Sequence, residues 1–194
     1  TGREVPLGVE DPLITASRLA QEDFCLMRRS DEGGYLLAAG VVCFPSRWSL
    51  PEKAGRPIAA IHDPVPHYGE VLERPVDRFF AMLKLAKPVW RLNWSLHDND
   101  VLFQPGGDHR LEERAEARLP EDYVIRVERQ TLRRLDCGDV LFTIRTHCDP
   151  LTAITGDSEA RTGMAAVLEA YSPAQLAYKN LTGKVPALTG WLRG

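Results

Sequence analysis

Two long runs, Tyr123 to Leu135 and Val140 to His147, are joined by Asp136-Cys137-Gly138-Asp139, and they constrain the fold more than any other stretch of the chain. The runs are rich in residues that favour extended backbone, and the connection carries the turn-forming residues of a tight reversal. They predict an antiparallel hairpin. An isolated hairpin is only marginally stable, so this one requires further strands and an apolar layer against it. Two-residue alternation puts Val124, Arg126, Glu128, Gln130, Leu132 and Arg134 on one face of the first strand, and Ile125, Val127, Arg129, Thr131 and Arg133 on the other. Neither face is purely apolar. In the second strand, Val140, Phe142, Ile144, Thr146 and Cys148 form a side suited to a core, while Leu141, Thr143, Arg145 and His147 share the opposite side.

The same alternation recurs in Val89 to Leu96, where Trp90, Leu92, Trp94 and Leu96 oppose Arg91, Asn93 and Ser95. An earlier hairpin is predicted from Phe24 to Arg28 and Tyr35 to Phe44, across the turn Ser30-Asp31-Glu32-Gly33-Gly34. Helical signals lie elsewhere. Asp11-Pro12 opens a short helix through Leu19; Tyr68 to Leu85 has helical spacing with a restart or kink at Pro75; Ser158 to Ala170 and Ser172-Pro173 through Asn180 are helical; and a short element ends near Trp191. Residues 97–120 read as a polar loop, with one solvated helical turn within Leu111 to Arg118. The order of elements predicts an α+β fold, an antiparallel sheet covered by helices with additional terminal helices. Strands, a helical middle, then three sequential strands is similar to the order of a PAS-type domain, which commonly holds a ligand between sheet and central helices.

The length of 194 residues predicts a single domain over 1–194 with helical extensions at both ends. A net charge of -3 gives no general attraction to nucleic acid, and the reading assigns no nucleic-acid partner. Cys25, Cys43, Cys137 and Cys148 have no C-x-x-C spacing, so neither a zinc site nor an iron-sulfur cluster has its ligands; reduced thiols in the cytoplasm are the simplest account. No apolar run has the length of a membrane span and no signal peptide is present, although a start at Thr1 implies a truncated N-terminus. The nucleophile elbow, phosphate loop, dinucleotide fingerprint and zinc-protease helix are all missing.

The segment Phe44 to Pro66, FPSRWSLPEKAGRPIAAIHDPVP, isolates one histidine in a proline-fenced apolar setting. Ser49 and Glu52 have capping-box spacing, Pro51 sits early in the helix, and Gly55 and Pro57 interrupt it before the run Ile58 to Ile61. His62 follows directly. A neutral imidazole beside an apolar wall is what a haem iron takes as its axial ligand, and His62 is the candidate; a satisfied, half-buried histidine is the plain alternative. The charged hairpin also has two readings. Cross-strand ion pairs on a solvated sheet face would contribute less than about 1 kcal/mol each. A pocket reading has Glu128 accepting hydrogen bonds from a cationic amine beside an arginine, on a face carrying Arg126, Glu128 and Arg145. His147, sharing a side with Arg145, is the second candidate for an iron. His97 reads as a strand-end surface histidine, His67 as a cap for the following helix, and His109 as a solvated loop residue.

Several blocks resemble one family: FPSRWSLPEKAGRPIAAIHDPVP, VDRFFAMLK, PVWRLNWSLHD, RVERQTLRRL and LFTIRTHCDPL, colinear between residue 44 and about residue 151. They resemble the haem-dependent oxidative N-demethylases, whose dimethylamine-oxidising members have a PAS-like haem domain. The resemblance implies a monooxygenase with haem b that removes an N-methyl group from a small secondary amine. Dioxygen and two electrons would give a carbinolamine that collapses to formaldehyde and the shorter amine. It implies NADPH-derived electrons delivered by a flavin or iron-sulfur reductase, since this chain has no flavin motif and no clustered cysteines. It also implies His62 as the proximal ligand, Glu128 and Arg145 in the substrate pocket, and Arg126, Arg91 and Asn93 as contacts for haem propionates. His147 stands where relatives commonly have tyrosine, which leaves the amine open. The competing class is a PAS-like module that binds haem or another small ligand without turnover and signals to a partner.

Overall fold

The computed structural model describes residues 2, 4–31, 33–106 and 119–194. His109 and the run Leu111 to Arg118 lie outside the described residues. Among the described residues, five strands form one antiparallel sheet in the order β2-β1-β5-β4-β3: β1 (Asp23–Arg29), β2 (Tyr35–Val41), β3 (Val89–His97), β4 (Val124–Arg134) and β5 (Val140–Pro150). The helices are α1 (Pro12–Ser17), α2 (Leu50–Lys53), α3 (Ile58–Ile61), α4 (Glu73–Met82), α5 (Ser158–Ala170), α6 (Pro173–Tyr178) and α7 (Val185–Arg193). The fold is α+β, as its hairpins and helical stretches predict.

Local chemistry sets the boundaries. The Asp11 carboxylate accepts from the backbone N–H groups of Leu13 and Ile14, and Pro12 occupies the first turn of α1, where its missing donor costs nothing. Ser172 and Gln175 complete a reciprocal capping box at α6. Ser49 does stand at the N-cap of α2, but its side chain makes no capping bond, so the predicted box supplies the position and not the interaction. Gly55 has φ 77, a conformation open to glycine, and breaks α2 from α3. The predicted helix over Tyr68 to Leu85 is a π-helical turn, Tyr68–Leu72, followed by α4; the change falls at Glu73, just ahead of Pro75, whose ring cannot continue the preceding ladder.

Residues directly opposite in an antiparallel pair project from the same face, so register assigns every strand residue to a side. Cys25↔Phe142, Met27↔Val140, Leu132↔Phe142 and Val89↔Leu132 define the first face. Its apolar end packs against Ile58, Tyr68, Phe80 and Leu83 from the helical middle of the chain. Trp94, Leu96, Ile125 and Val127 belong to the second face and pack against α5 and α7 through Ala165, Leu168, Leu188 and Leu192. Val140 and Leu151 are wholly buried, and each such aliphatic side chain contributes about 1.5–3 kcal/mol as an upper figure. Two cores thus lie on opposite faces, and the polar remainder of the first face adjoins the segment that carries His62.

Candidate functional site

Register gathers Arg91, Asn93 and Ser95 of β3 with Gln130, Glu128 and Arg126 of β4 on the first face, through the pairs Arg91↔Gln130, Asn93↔Glu128 and Ser95↔Arg126. Thr146 and Cys148 of β5 continue the row opposite Glu128 and Arg126. Hydrogen bonds join Arg91, Gln130 and Glu128, and an ion-pair contact leads on to Arg126. Arg91 Nε donates to Gln130 Oε1 at 2.8 Å, and Gln130 Nε2 donates to Glu128 Oε2 at 3.0 Å. Glu128 Oε1 lies 3.7 Å from Arg126 Nε, with only 16% of the Glu128 side chain exposed.

Arg126 is 1% exposed, and a guanidinium taken out of water must find acceptors for its donors. Nη2 donates to the Phe44 carbonyl and to Thr146 Oγ1, and Nη1 donates to the Leu102 carbonyl at 3.3 Å. These bonds make Arg126 a clamp on the two chain segments that close over the sheet. Asp23, 2% exposed and on the same face opposite Ile144, complements it. Its carboxylate accepts from the backbone N–H of Cys43 at 2.7 Å and of Phe44 at 3.2 Å. Burial raises the Asp23 pKa, while those two N–H groups and the Arg126 charge oppose the rise.

His62 caps α3 at its C-terminus. Its Nδ1 lies 2.9 Å from the Ile58 carbonyl oxygen. A carbonyl can only accept, so Nδ1 carries the hydrogen and Nε2 keeps a lone pair. The Tyr68 ring stacks on the imidazole at 4.7 Å with planes inclined by 10°. Burial lowers the His62 pKa, the Ile58 bond opposes this, and the Arg91 and Lys53 charges add to the lowering. The ring is therefore neutral at neutral pH. Burial, with Asp77 and Glu73 adding to it, pushes the Tyr68 phenol up to about 12, so it stays protonated. An open groove of about 470 Å³ is lined by Ala59, Ala60, Asp63, Val65, His67, Tyr68, Gly69, Glu70 and Glu73; it borders Asp63 and Tyr68, the chain and stacking neighbours of His62, but not His62 itself.

Among the described residues no three His, Cys, Asp or Glu side chains converge as a site for a bare metal ion. Haem makes a smaller demand, one protein nitrogen with a lone pair on a neutral, oriented ring beside apolar surface. His62 fits it: tautomer, charge state and ring plane are each fixed by a neighbour.

Arg145 and His147 are not part of this assembly. Arg145 stands opposite Arg129, and His147 opposite Val127, which places both on the second face. The expectation of one face carrying Arg126, Glu128 and Arg145 is therefore corrected, because Glu128 pairs with Thr146 and an odd-numbered offset turns a strand side chain to the other side. Arg145 instead approaches Glu22 at 3.5 Å, and His147 is exposed.

His97 corrects a second expectation. It is 3% exposed, on the first face opposite Val124, with Nε2 2.8 Å from Ser95 Oγ. Burial, then the Arg47 and Arg126 charges, pushes its pKa down to about 4. The Gln104 side chain acts in the opposite direction, although neither its Oε1 nor His97 Nδ1 reaches hydrogen-bond geometry with a described partner. His67 precedes the π-helical turn with φ 61 and makes no capping bond; its Nδ1 lies 3.3 Å from Glu70 Oε2. Sequence reasoning gave no role to Asp23 or Gln130. The signal for Asp23 was an acid opening the otherwise apolar run Phe24-Cys25-Leu26-Met27, and Gln130 already shared the face of Glu128 and Arg126.

Fold and site together define an α+β protein whose antiparallel sheet presents a partly buried, charged row beside a histidine-bearing helical segment. Residues 1–187 match the family described as haem-dependent oxidative N-demethylase, alpha subunit-like, and the chain belongs to that family. No curated protein matches the chain. Among the described residues no helix is long and apolar enough to cross a membrane.

Proposed function

We propose that residues 1–194 form one PAS-like domain that binds haem b through His62 and oxidatively demethylates a small secondary amine, drawing on dioxygen and releasing formaldehyde. The observation that carries this reading is the shared face: Glu128, a partly buried carboxylate, is linked to Arg91 by hydrogen bonds through Gln130 and lies 3.7 Å from Arg126 Nε, on the side of the sheet covered by the His62 segment. The strand order β2-β1-β5-β4-β3 with helices between β2 and β3 supports the PAS-like description.

When bound, haem supplies the iron at which dioxygen is activated and the N-methyl group is oxidised. The chain supplies position and charge. His62 Nε2 would offer its lone pair to the haem iron, and the Ile58 carbonyl and Tyr68 ring hold the imidazole still. Arg91 and Asn93 are both exposed on the first face and have donors to spare for propionates. Arg126, its Nη groups engaged by carbonyls, acts on that edge through its charge and by fixing the Phe44 segment. An aliphatic secondary amine is an ammonium at neutral pH, and the Glu128 carboxylate retains lone pairs beyond the one that Gln130 engages. Glu128 accepts an ammonium N–H there, and its low exposure keeps competing water away. The electrons come from a reductase partner, a flavin or iron-sulfur protein drawing on NADPH.

The test is reconstitution with haem, followed by an absorption spectrum of the wild type and of His62→Ala. A Soret band that is altered in the variant supports the ligand; no band in the wild type overturns the haem reading. Formaldehyde release from dimethylamine and related amines, with a reductase and NADPH supplied, supports catalysis, whereas stable ligand binding without turnover would make the chain a sensor-like module.

A further inference from the structure

Gln130 lies on β4 between Glu128 and Leu132 of the first face, directly across from Arg91 on β3, and is 9% exposed. Both ends of its amide are engaged: Nε2 donates to Glu128 Oε2 at 3.0 Å, and Oε1 accepts from Arg91 Nε at 2.8 Å. The two bonds fix the flip of the amide, because reversing it would aim an NH2 group at a guanidinium and a carbonyl at a carboxylate. The consequence concerns the pair on either side. Arg91 faces Gln130, and Glu128 is two residues away on the same strand, so Arg91 and Glu128 are diagonal neighbours within reach of a long side chain. A guanidinium and a carboxylate in that relation close into a direct, charge-assisted pair unless something stands between them. The Gln130 amide stands between them.

We propose that Gln130 is a positioning residue that keeps Glu128 available to the substrate ammonium by holding Arg91 away from the same carboxylate. The inference rests on the reading of Glu128 given above. A nonpolar residue of equal length at this position would let Arg91 fold onto Glu128 and compete with the amine for it. The same amide holds Arg91 Nε, which leaves its terminal Nη groups as the ones offered outward.

The test uses haem-reconstituted protein with dimethylammonium chloride as the probe, and affinity is read by calorimetry so that turnover is not needed. Gln130→Met weakens binding about tenfold, the scale of one lost charge-assisted hydrogen bond. Arg91→Met introduced into Gln130→Met removes the competitor and restores affinity to within about threefold of the wild type, a rescue that a purely structural role for Gln130 would not give. Unchanged affinity in Gln130→Met, or no rescue in the double variant, overturns the inference. The wild type provides an independent reading by NMR in the diamagnetic ferrous carbon monoxide form: the Gln130 side-chain NH2 signals shift as dimethylammonium is added, and their indifference would also overturn it. Failure of the underlying reading looks different. There Glu128→Gln itself leaves amine affinity unchanged, whereas loss of affinity in Glu128→Gln with none in Gln130→Met removes Gln130 alone.

Discussion

Asp23 and Arg126 hold the same residue from opposite ends of its peptide: the Phe44 N–H donates to the Asp23 carboxylate, and the Phe44 carbonyl accepts from Arg126 Nη2. Both side chains are almost fully buried, and they project from the same sheet face. Phe44 begins the segment that leads to His62. The position of the candidate iron ligand thus depends on two charged groups in the sheet, neither of which needs to touch a cofactor.

Arg126→Met should therefore destabilise the fold by about 3 kcal/mol, because it removes the buried charge that faces the Asp23 and Glu128 carboxylates and the donors to the Phe44 and Leu102 carbonyls. Urea denaturation of the haem-free chain measures this. A loss below about 1 kcal/mol would mean that water satisfies the same groups and that the clamp is dispensable.

His97 predicts a pH dependence. Its pKa falls from 6.5 to about 4 on folding, so the unfolded chain binds the proton more readily. Stability is fully present above about pH 6.5 and is lost as pH falls towards 4. The difference of about 2.5 units, at about 1.4 kcal/mol per unit, sets a ceiling of about 3 kcal/mol. His97→Asn should flatten the stability profile between those limits; an unchanged slope would show that the ring is solvated in the folded protein.

The elements were largely legible because each carries a local signal. Asp11-Pro12, Ser172-Pro173 and the turn at Gly138 fix ends and reversals within a few residues of themselves, and period-two alternation sorted the faces of β3, β4 and β5 correctly. Which face of one strand meets which face of the next is a matter of register. A shift of one residue exchanges the sides, and nothing within β4 or β5 alone states the offset. Strand alternation alone therefore permits Arg145 beside Glu128, whereas the register sets it opposite Arg129. The burial of His97 was hidden for a related reason: the charge and amide that act on it come from Arg47, distant in sequence, and from Gln104, seven residues on, and the Ser46↔Gln104 bridge brings the two segments together.

The opposite-face position of Arg145 and His147 has a catalytic consequence. The Arg145 ion pair with Glu22 is partly exposed at 3.5 Å, which limits its contribution to less than about 1 kcal/mol. Arg145→Gln and His147→Tyr should keep amine-dependent formaldehyde release within about twofold of the wild type, as substitutions away from the site do, while Glu128→Gln lowers kcat/KM at least tenfold, the scale of a lost charge-assisted bond. A comparable loss in Arg145→Gln would place the reacting amine on the second face and remove Glu128 from the site.

His62 gives the sharpest test of ligation, because its role can be separated from its packing. The imidazole stacks on Tyr68 and bonds the Ile58 carbonyl, so His62→Gly removes the candidate ligand and also opens a space of imidazole shape between them. Free imidazole should enter that space, donate to the same carbonyl and present its second nitrogen where Nε2 stood. The expected result is a Soret band that is shifted or weakened in His62→Gly and returns towards the wild-type position with millimolar imidazole. Tyr68→Leu, which removes the stacking surface, should raise the imidazole concentration required in a His62→Gly/Tyr68→Leu double variant. Restoration by imidazole that is indifferent to Tyr68 would mean that the added ligand binds elsewhere on the iron, and an unaltered spectrum in His62→Gly would assign the axial nitrogen to another residue.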